Sequence, residues 1–360
     1  MEFPRVTHRL RLSVAAIAAA FATFSISAHA AQTIKLTAVS GYAPTAAWVN
    51  VFQTHFIPEL DKKLATKGNY KIEWNQAWGT IAKPRGELDA IENGLADIGI
   101  VQTVFHPDKL PMFNIGYVTP FITTDIDLMT KTVNELAKTY PVYKSVWAKY
   151  NQVFLTTLAG VDNYQLVLKA PITKPADLKG RKICGAGLNL RYVEGLGAVG
   201  VSSPLPDWYN NIRGGICDGT IVWPEAAQNF KLYEVAPTYV DVTFGGANSM
   251  ALSMNANAWK KLPQEVKDAV EEVSETYRKA LARKAMSDSA ASTKAYASSG
   301  GKIVAISPAD RAAWANSLPN IAVEWADSLE KAGIPGKQIL RSYIDAMRAA
   351  NQTILRDWSK

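Results

Sequence analysis

Cys184 ends the strand-like run "RKIC", and Arg191 follows it across a Gly-rich turn, "GAGLNLR". A guanidinium in the first turn of a helix opposes the positive end of the helix dipole. A carboxylate held between Arg191 and the turn that carries Asn189 would meet complementary charge and remove that conflict. The other reading has Arg191 pointing outward and pairing with Glu194 on the next turn. Catalytic alternatives find little support. The chain has four His and two Cys. Of the His, only His55 and His106 lie beyond the N-terminal thirty residues. Cys184 and Cys217 form no CxxC pair, which argues against Cys/His metal sites. In an oxidising compartment they could join as a disulfide; the alternative is two buried free thiols in adjacent strands. No GxSxG is present, and the spaced glycines of "GAGLNLRYVEGLGA" do not make GxGxxG. Carboxylate pairs with glycosidase-like spacing are not evident. A secreted hydrolase of an aromatic acid derivative remains the rival from another class, and turnover of the bound acid would reveal it.

The chain opens "MEFPRVTHRLRLSVAAIAAAFATFSISAHA". Arginines before an apolar run that closes on Ala28-His29-Ala30 read as a signal peptide, cleaved after Ala30. The rival, an uncleaved anchor, is disfavoured by the short run and the small-x-small ending. Cleavage removes three arginines and one glutamate, so the formal charge falls from +7 to +5. The remaining basic residues are scattered, which excludes a nucleic-acid-binding block. The expected product is a periplasmic monomer without cofactor. The 330 of 360 residues that remain are many for one core and suggest two lobes.

Those lobes must position any site. "TIKLTAVS", "YKIEWNQAW" and "IGIVQTVF" read as strands, separated by the helical spacing of Trp48, Val51, Phe52, Phe56 and Leu60 and by "KPRGELDAIENGLAD". "NYQLVLKA", "RKIC" and "GTIVWP" repeat the pattern in the second half. Residues 263–299 read as one long helix. Alternation of strands and helices in two lobes predicts an α/β fold with mainly parallel sheets.

Several segments together resemble the DctP-like extracytoplasmic solute receptors of tripartite ATP-independent periplasmic (TRAP) transporters. They are "WNQAWGTIAKPRGELDAIENGLADIGIVQT", "TPFI", "ADLKGRKI", "LGAVGVSSPLPDWYNNIRGGICDG", "KLYEVAPTYV" and "ALSMNANAWKKLPQEVKDAV", in the family's order over residues 33–345. The resemblance implies a two-lobe clamp with hinge strands and a long connecting helix. Lobe I would hold 31–160 plus 251–290, and lobe II 161–250 plus 291–360. A small organic acid would lie between them and be handed to a membrane permease.

The resemblance breaks where the family holds its carboxylate. The arginine of its "K-[LI]-R-V-P" pattern falls on Cys184, a second family arginine falls on Tyr164, and the Asn of "DGqenP" is replaced by Trp223 in "DGTIVWP". Cysteine cannot form the two-pronged ion pair of a guanidinium. Arg191 is therefore the expected replacement. Tyr164, Trp223, Trp208 and Trp78 fall at or near family cleft positions, with Gln102, Asn248 and Asn189 as polar selectors and His106 as a further partner. Aromatic walls with one cation suit an aromatic or apolar monocarboxylate, such as a hydroxycinnamate or benzoate, over a small dicarboxylate or keto acid. The alternative for each Trp is an ordinary core position.

Overall fold

The computed structural model describes residues 1–2 and 31–360. The segment read as a signal peptide lies, apart from its first two residues, outside them. Eleven strands occur among the described residues: β1 Gln32–Ser40, β2 Tyr70–Trp78, β3 Ile98–Val101, β4 Gln152–Leu158, β5 Val161–Leu168, β6 Lys182–Gly185, β7 Val199–Ser202, β8 Gly219–Val222, β9 Thr238–Ala247, β10 Met250–Asn255 and β11 Lys302–Ala305. They build two sheets, ordered β2-β1-β3-β10-β4 and β11-β9-β5-β8-β6-β7.

Burial follows strand position. "IGIV" of β3 and "MALSMN" of β10 are buried at every residue, as strands covered on both faces must be. β2 pairs in parallel with β1 from Gln32↔Tyr70 to Ser40↔Trp78, and as an edge strand it alternates partly buried with exposed residues. The sheets are mixed. Five strand pairings are parallel and four antiparallel. The antiparallel pairs arise where the chain passes directly between sheets and needs no helical crossover. β4 runs through Ala159-Gly160 into β5 of the other sheet, and β9 returns through Asn248-Ser249 into β10. β10 then lies antiparallel between β3 and β4.

The helix Gln264–Ser298 is the third connection. At 1.5 Å per residue it is about 50 Å long. Its Tyr277 hydroxyl donates to the Trp48 carbonyl at 2.7 Å on lobe I, and its Tyr296 ring packs on Tyr239 of lobe II. Arg278, its side chain fully buried, ties it to the helix Ile126–Thr139 through Asp127 Oδ1 at 2.7 Å, and pairs with Glu275 Oε1 at 2.7 Å. The C-terminal segment touches both lobes. Trp314 Nε1 donates to the Tyr192 carbonyl, whereas Trp325 Nε1 donates to Pro111 and Trp358 Nε1 to Pro120.

Candidate functional site

Apart from the antiparallel β5 and β10, which begin there, the strands of each sheet direct their C-terminal ends toward a common cleft, where open α/β sheets place their ligands. Tyr42 lies just beyond β1, Gln102 follows β3, Ala186 follows β6 and Trp223 follows β8. These residues line one pocket together with Trp48, Phe105, Tyr117, Tyr164 and Trp208. About 20 Å³ of free volume remains between them, room for little more than one water. A solute therefore enters only when the walls part. Two wider grooves, of 630 and 690 Å³, lie elsewhere. The first sits by Gln32 at the N-terminal end of β1, at the opposite end of that strand from Tyr42.

Four residues expected at the cleft from the sequence come together here: Gln102, Tyr164, Trp208 and Trp223. Their polar atoms differ in availability. Trp208 Nε1 donates to the Ser203 carbonyl at 2.9 Å and Trp223 Nε1 to Glu225 Oε2 at 3.1 Å, so these indoles offer only their faces. The Tyr164 and Tyr117 hydroxyls hydrogen-bond at 2.8 Å, and Tyr192 donates to the Tyr117 carbonyl at 2.9 Å. Burial holds the Tyr164 phenol well above its ordinary pKa, so it stays neutral. Among the described residues, Gln102 Nε2 is buried without a partner, and so is Trp48 Nε1. Each is a donor aimed at no protein acceptor, and buried donors of this kind are costly unless something accepts from them.

Arg191 does not enter the pocket. Its Nε donates to Glu194 Oε2 at 2.5 Å and its Nη2 to Glu324 Oε2 at 3.0 Å. The helix that carries it is a single turn, Arg191–Glu194, so its dipole is weak and two carboxylates satisfy the cation outside the cleft. Cys184 is bonded to Cys217 with Cα atoms 5.7 Å apart, and it lines no part of the pocket. Asn248 is consumed by the hinge, accepting from the Gly116 N–H at 2.9 Å and donating to the Phe113 carbonyl at 2.8 Å. Trp78 packs edge-on against Phe52 and donates to Gln76 Oε1, outside the pocket. Asn189 is fully buried behind it: Oδ1 accepts from the Ala186 N–H at 2.9 Å, and among the described residues Nδ2 has no partner within hydrogen-bonding distance, with the Tyr164 hydroxyl as its neighbour. His106 is buried beyond Phe105; burial, then Lys109, lowers its pKa to about 4, so it is neutral at neutral pH.

Sequence reasoning missed Tyr42, Trp48, Phe105 and Tyr117. Trp48 reads as one apolar position among many on a helix. Its signal was its place in the first turn of the helix Ala47–Val51, the element that follows β1, which a search of the segments beyond each strand end would have marked. No Asp, Glu, Lys or Arg lines the pocket among the described residues. The nearby charges stand behind its walls. Glu225 backs Trp223, and Glu87 is buried near Tyr42 with its pKa pushed up to about 7 by desolvation.

Comparison with known proteins agrees with this architecture. A structure from Bordetella bronchiseptica, a TRAP periplasmic solute binding protein with bound (R)- and (S)-mandelate, superposes with a TM-score of 0.78 at 21% identity, over 88% of this chain and 99% of that one. A TRAP solute binding protein from Rhodoferax ferrireducens in complex with copurified benzoate gives 0.77 at 20%, over 88% and 98%. An extracytoplasmic solute receptor of Bordetella pertussis that binds pyroglutamic acid gives 0.72 at 19%, over 87% and 99%. Similarity at this level establishes the two-lobe fold. The family model described as bacterial extracellular solute-binding protein, family 7 (DctP), matches residues 45–328, and with most of its length inside that match the chain belongs to this family of solute receptors.

Proposed function

We propose that this receptor captures an aromatic or otherwise apolar monocarboxylate, of the benzoate or hydroxycinnamate type, and delivers it to a TRAP permease after export to the periplasm. The observation that carries this reading is the pocket wall. Trp48, Phe105, Tyr164, Trp208 and Trp223 present ring faces and edges, no charged side chain interrupts them, and Trp48 Nε1 and Gln102 Nε2 await an acceptor. Such a wall stabilises a flat apolar body by area burial and ring–ring geometry. It would leave both carboxylates of a small dicarboxylate poorly solvated. The benzoate and mandelate seen in two proteins of the same fold support the same solute class, while pyroglutamate in a third keeps small cyclic acids in the panel to be tested. The capture step is lobe closure on the solute about the β4–β5 and β9–β10 crossings, a hinge motion.

Calorimetry of the purified protein against benzoate, mandelate, p-coumarate, pyroglutamate, pyruvate and succinate tests the reading. Tight, stoichiometric and reversible binding of the aromatic acids, with weak or no heat from succinate and pyruvate, is the expected result. Preference for succinate or pyruvate would overturn the solute class, and turnover of an aromatic ester would move the protein among hydrolases.

A further inference from the structure

The loop "KPRGE" between β2 and the helix Glu87–Glu92 places an arginine where the lobes meet. Arg85 has φ 82°, a left-handed backbone that is uncommon for a residue with a long side chain. The conformation is held from below. Glu87, fully buried, accepts the Arg85 N–H on Oε2 at 3.1 Å and the Gly41 N–H on Oε1 at 3.0 Å. Gly41 approaches so closely that a Cβ there would lie 2.3 Å from Pro84 N. The loop bearing Arg85 and the loop bearing Tyr42 are thus clamped into one unit. Strain of this kind persists where surrounding structure enforces it, and it gathers at ligand clamps.

Above that base the side chain has a defined seat. The guanidinium carbon lies 4.7 Å from the centroid of Phe105, a pocket residue. Nη2 donates to Ser202 Oγ at 3.3 Å, at the end of β7 on the other lobe. Among the described residues no carboxylate forms an ion pair with Arg85, in contrast to Arg191, Arg278 and Arg348. The side chain is exposed at the junction, so its charge is available to an incoming anion.

We propose that Arg85 is the carboxylate-binding cation of this receptor and the latch of its closed state, pairing with the solute's carboxylate from its seat on Phe105 while Nη2 engages Ser202 of the opposite lobe. This rests on the reading that an organic acid occupies the aromatic pocket. A guanidinium stacked on a ring keeps its in-plane N–H donors free for a carboxylate and for a hydroxyl at once. The cation is thereby carried by a lobe I loop, and the lobe II position at Cys184 is given over to a disulfide.

The test compares the wild-type protein with Arg85→Gln, Arg85→Lys and Arg85→Gly by calorimetry and thermal melts. Ligands are benzoate, p-coumarate, pyroglutamate, succinate and the neutral benzyl alcohol. Loss of a charge-assisted pair should weaken the acids about 10–100-fold in Arg85→Gln and leave benzyl alcohol nearly unchanged. Arg85→Lys keeps the charge without the fork and should fall between. Arg85→Gly relieves the positive φ, so it should melt at or above wild-type temperature while binding acids as poorly as Arg85→Gln. A merely structural arginine would give the reverse, with lower melting and unchanged preference for acid over alcohol. Wild-type affinity for acids in Arg85→Gln, or the absence of any carboxylate ligand for the wild type, overturns the assignment. If succinate or pyroglutamate binds in place of the aromatic acids and Arg85→Gln abolishes that binding, the aromatic reading fails and the role of Arg85 stands. If benzoate binds Arg85→Gln as it binds wild type, the aromatic reading survives and the role of Arg85 falls.

Discussion

Trp48 and Trp223 face each other across the cleft, one from each lobe, with ring centroids 6.2 Å apart and planes tilted by 44°. Their indole N–H groups are not equivalent. That of Trp223 is spent on Glu225, and that of Trp48 has no acceptor among the described residues. Trp48→Phe keeps a ring in the wall and deletes the free donor. We expect it to weaken solute binding about 3–10-fold, the worth of one neutral hydrogen bond. Calorimetry measures this directly; an unchanged Kd would mean that Trp48 contributes packing alone.

The bond between Cys184 and Cys217 closes a loop with a sequence separation of 33. Constraint of the unfolded chain over a loop of that length stabilises the native state by about 3–4 kcal/mol. The Cys184→Ser/Cys217→Ser double variant should therefore unfold at markedly lower denaturant concentration while keeping its far-ultraviolet dichroism. Equal midpoints with and without the bond would show that strain in the native state offsets the constraint.

Arg191→Ala removes two ion pairs on a partly exposed side chain, to Glu194 and Glu324. Exposed pairs contribute about 0–1 kcal/mol. The variant should bind every solute with wild-type affinity and lose less than about 1 kcal/mol of stability. A collapse of acid binding in this variant would restore Arg191 to the site and displace Arg85.

Glu87 gives the molecule a readable dependence on pH. Burial raises its carboxyl from 4.5 to about 7, although N–H groups of its own residue, Gly41 and Arg85 oppose the shift. The folded state therefore binds this proton more tightly than the unfolded chain does. The associated stability is full at low pH and is lost as pH climbs from about 4.5 through about 7. Buried Asp162, raised to about 6, acts in the same direction, and His106, lowered to about 4, acts oppositely in acid. Comparing Glu87→Gln with wild type cancels both. The melting temperature of the variant, relative to wild type, should rise between about pH 4.5 and 7 and then level off. A difference that stays flat across that range would show an unshifted carboxyl.

Much of the architecture can be read from residue order, because strand ends are local. The run "IGIVQTVF" announces a buried strand, which ends at Val101, earlier than the run suggests; Gln102, expected at the cleft, and Phe105, which was not, lie just past that end and fall in the pocket. "GTIVWP" does the same for Trp223. Contacts that depend on distant partners are not legible in this way. Glu324 lies 133 residues from Arg191 in the chain, and no local pattern announces that pairing. Asn248 looks like a free amide until Gly116 and Phe113 are brought against it by the fold. Trp78 ends a strand as Trp223 nearly does, yet its strand is at the sheet edge and the ring turns onto Phe52. Arg85 escapes for a different reason. Its backbone is left-handed only because Glu87 and Gly41 enforce it, and no residue type in "KPRGE" signals that.

The order of the strands also governs when this protein can become itself. β10 lies inside the first sheet, between β3 and β4, but it is made only after five strands of the second sheet. Until residue 255 has emerged, the edges of β3 and β4 that face β10 have nothing to zip against. A nascent chain is thus denied an early, self-sufficient N-terminal lobe of the kind that forms during synthesis in simpler multidomain proteins. The first sheet therefore cannot close until the second is nearly complete, and the two halves complete one another together.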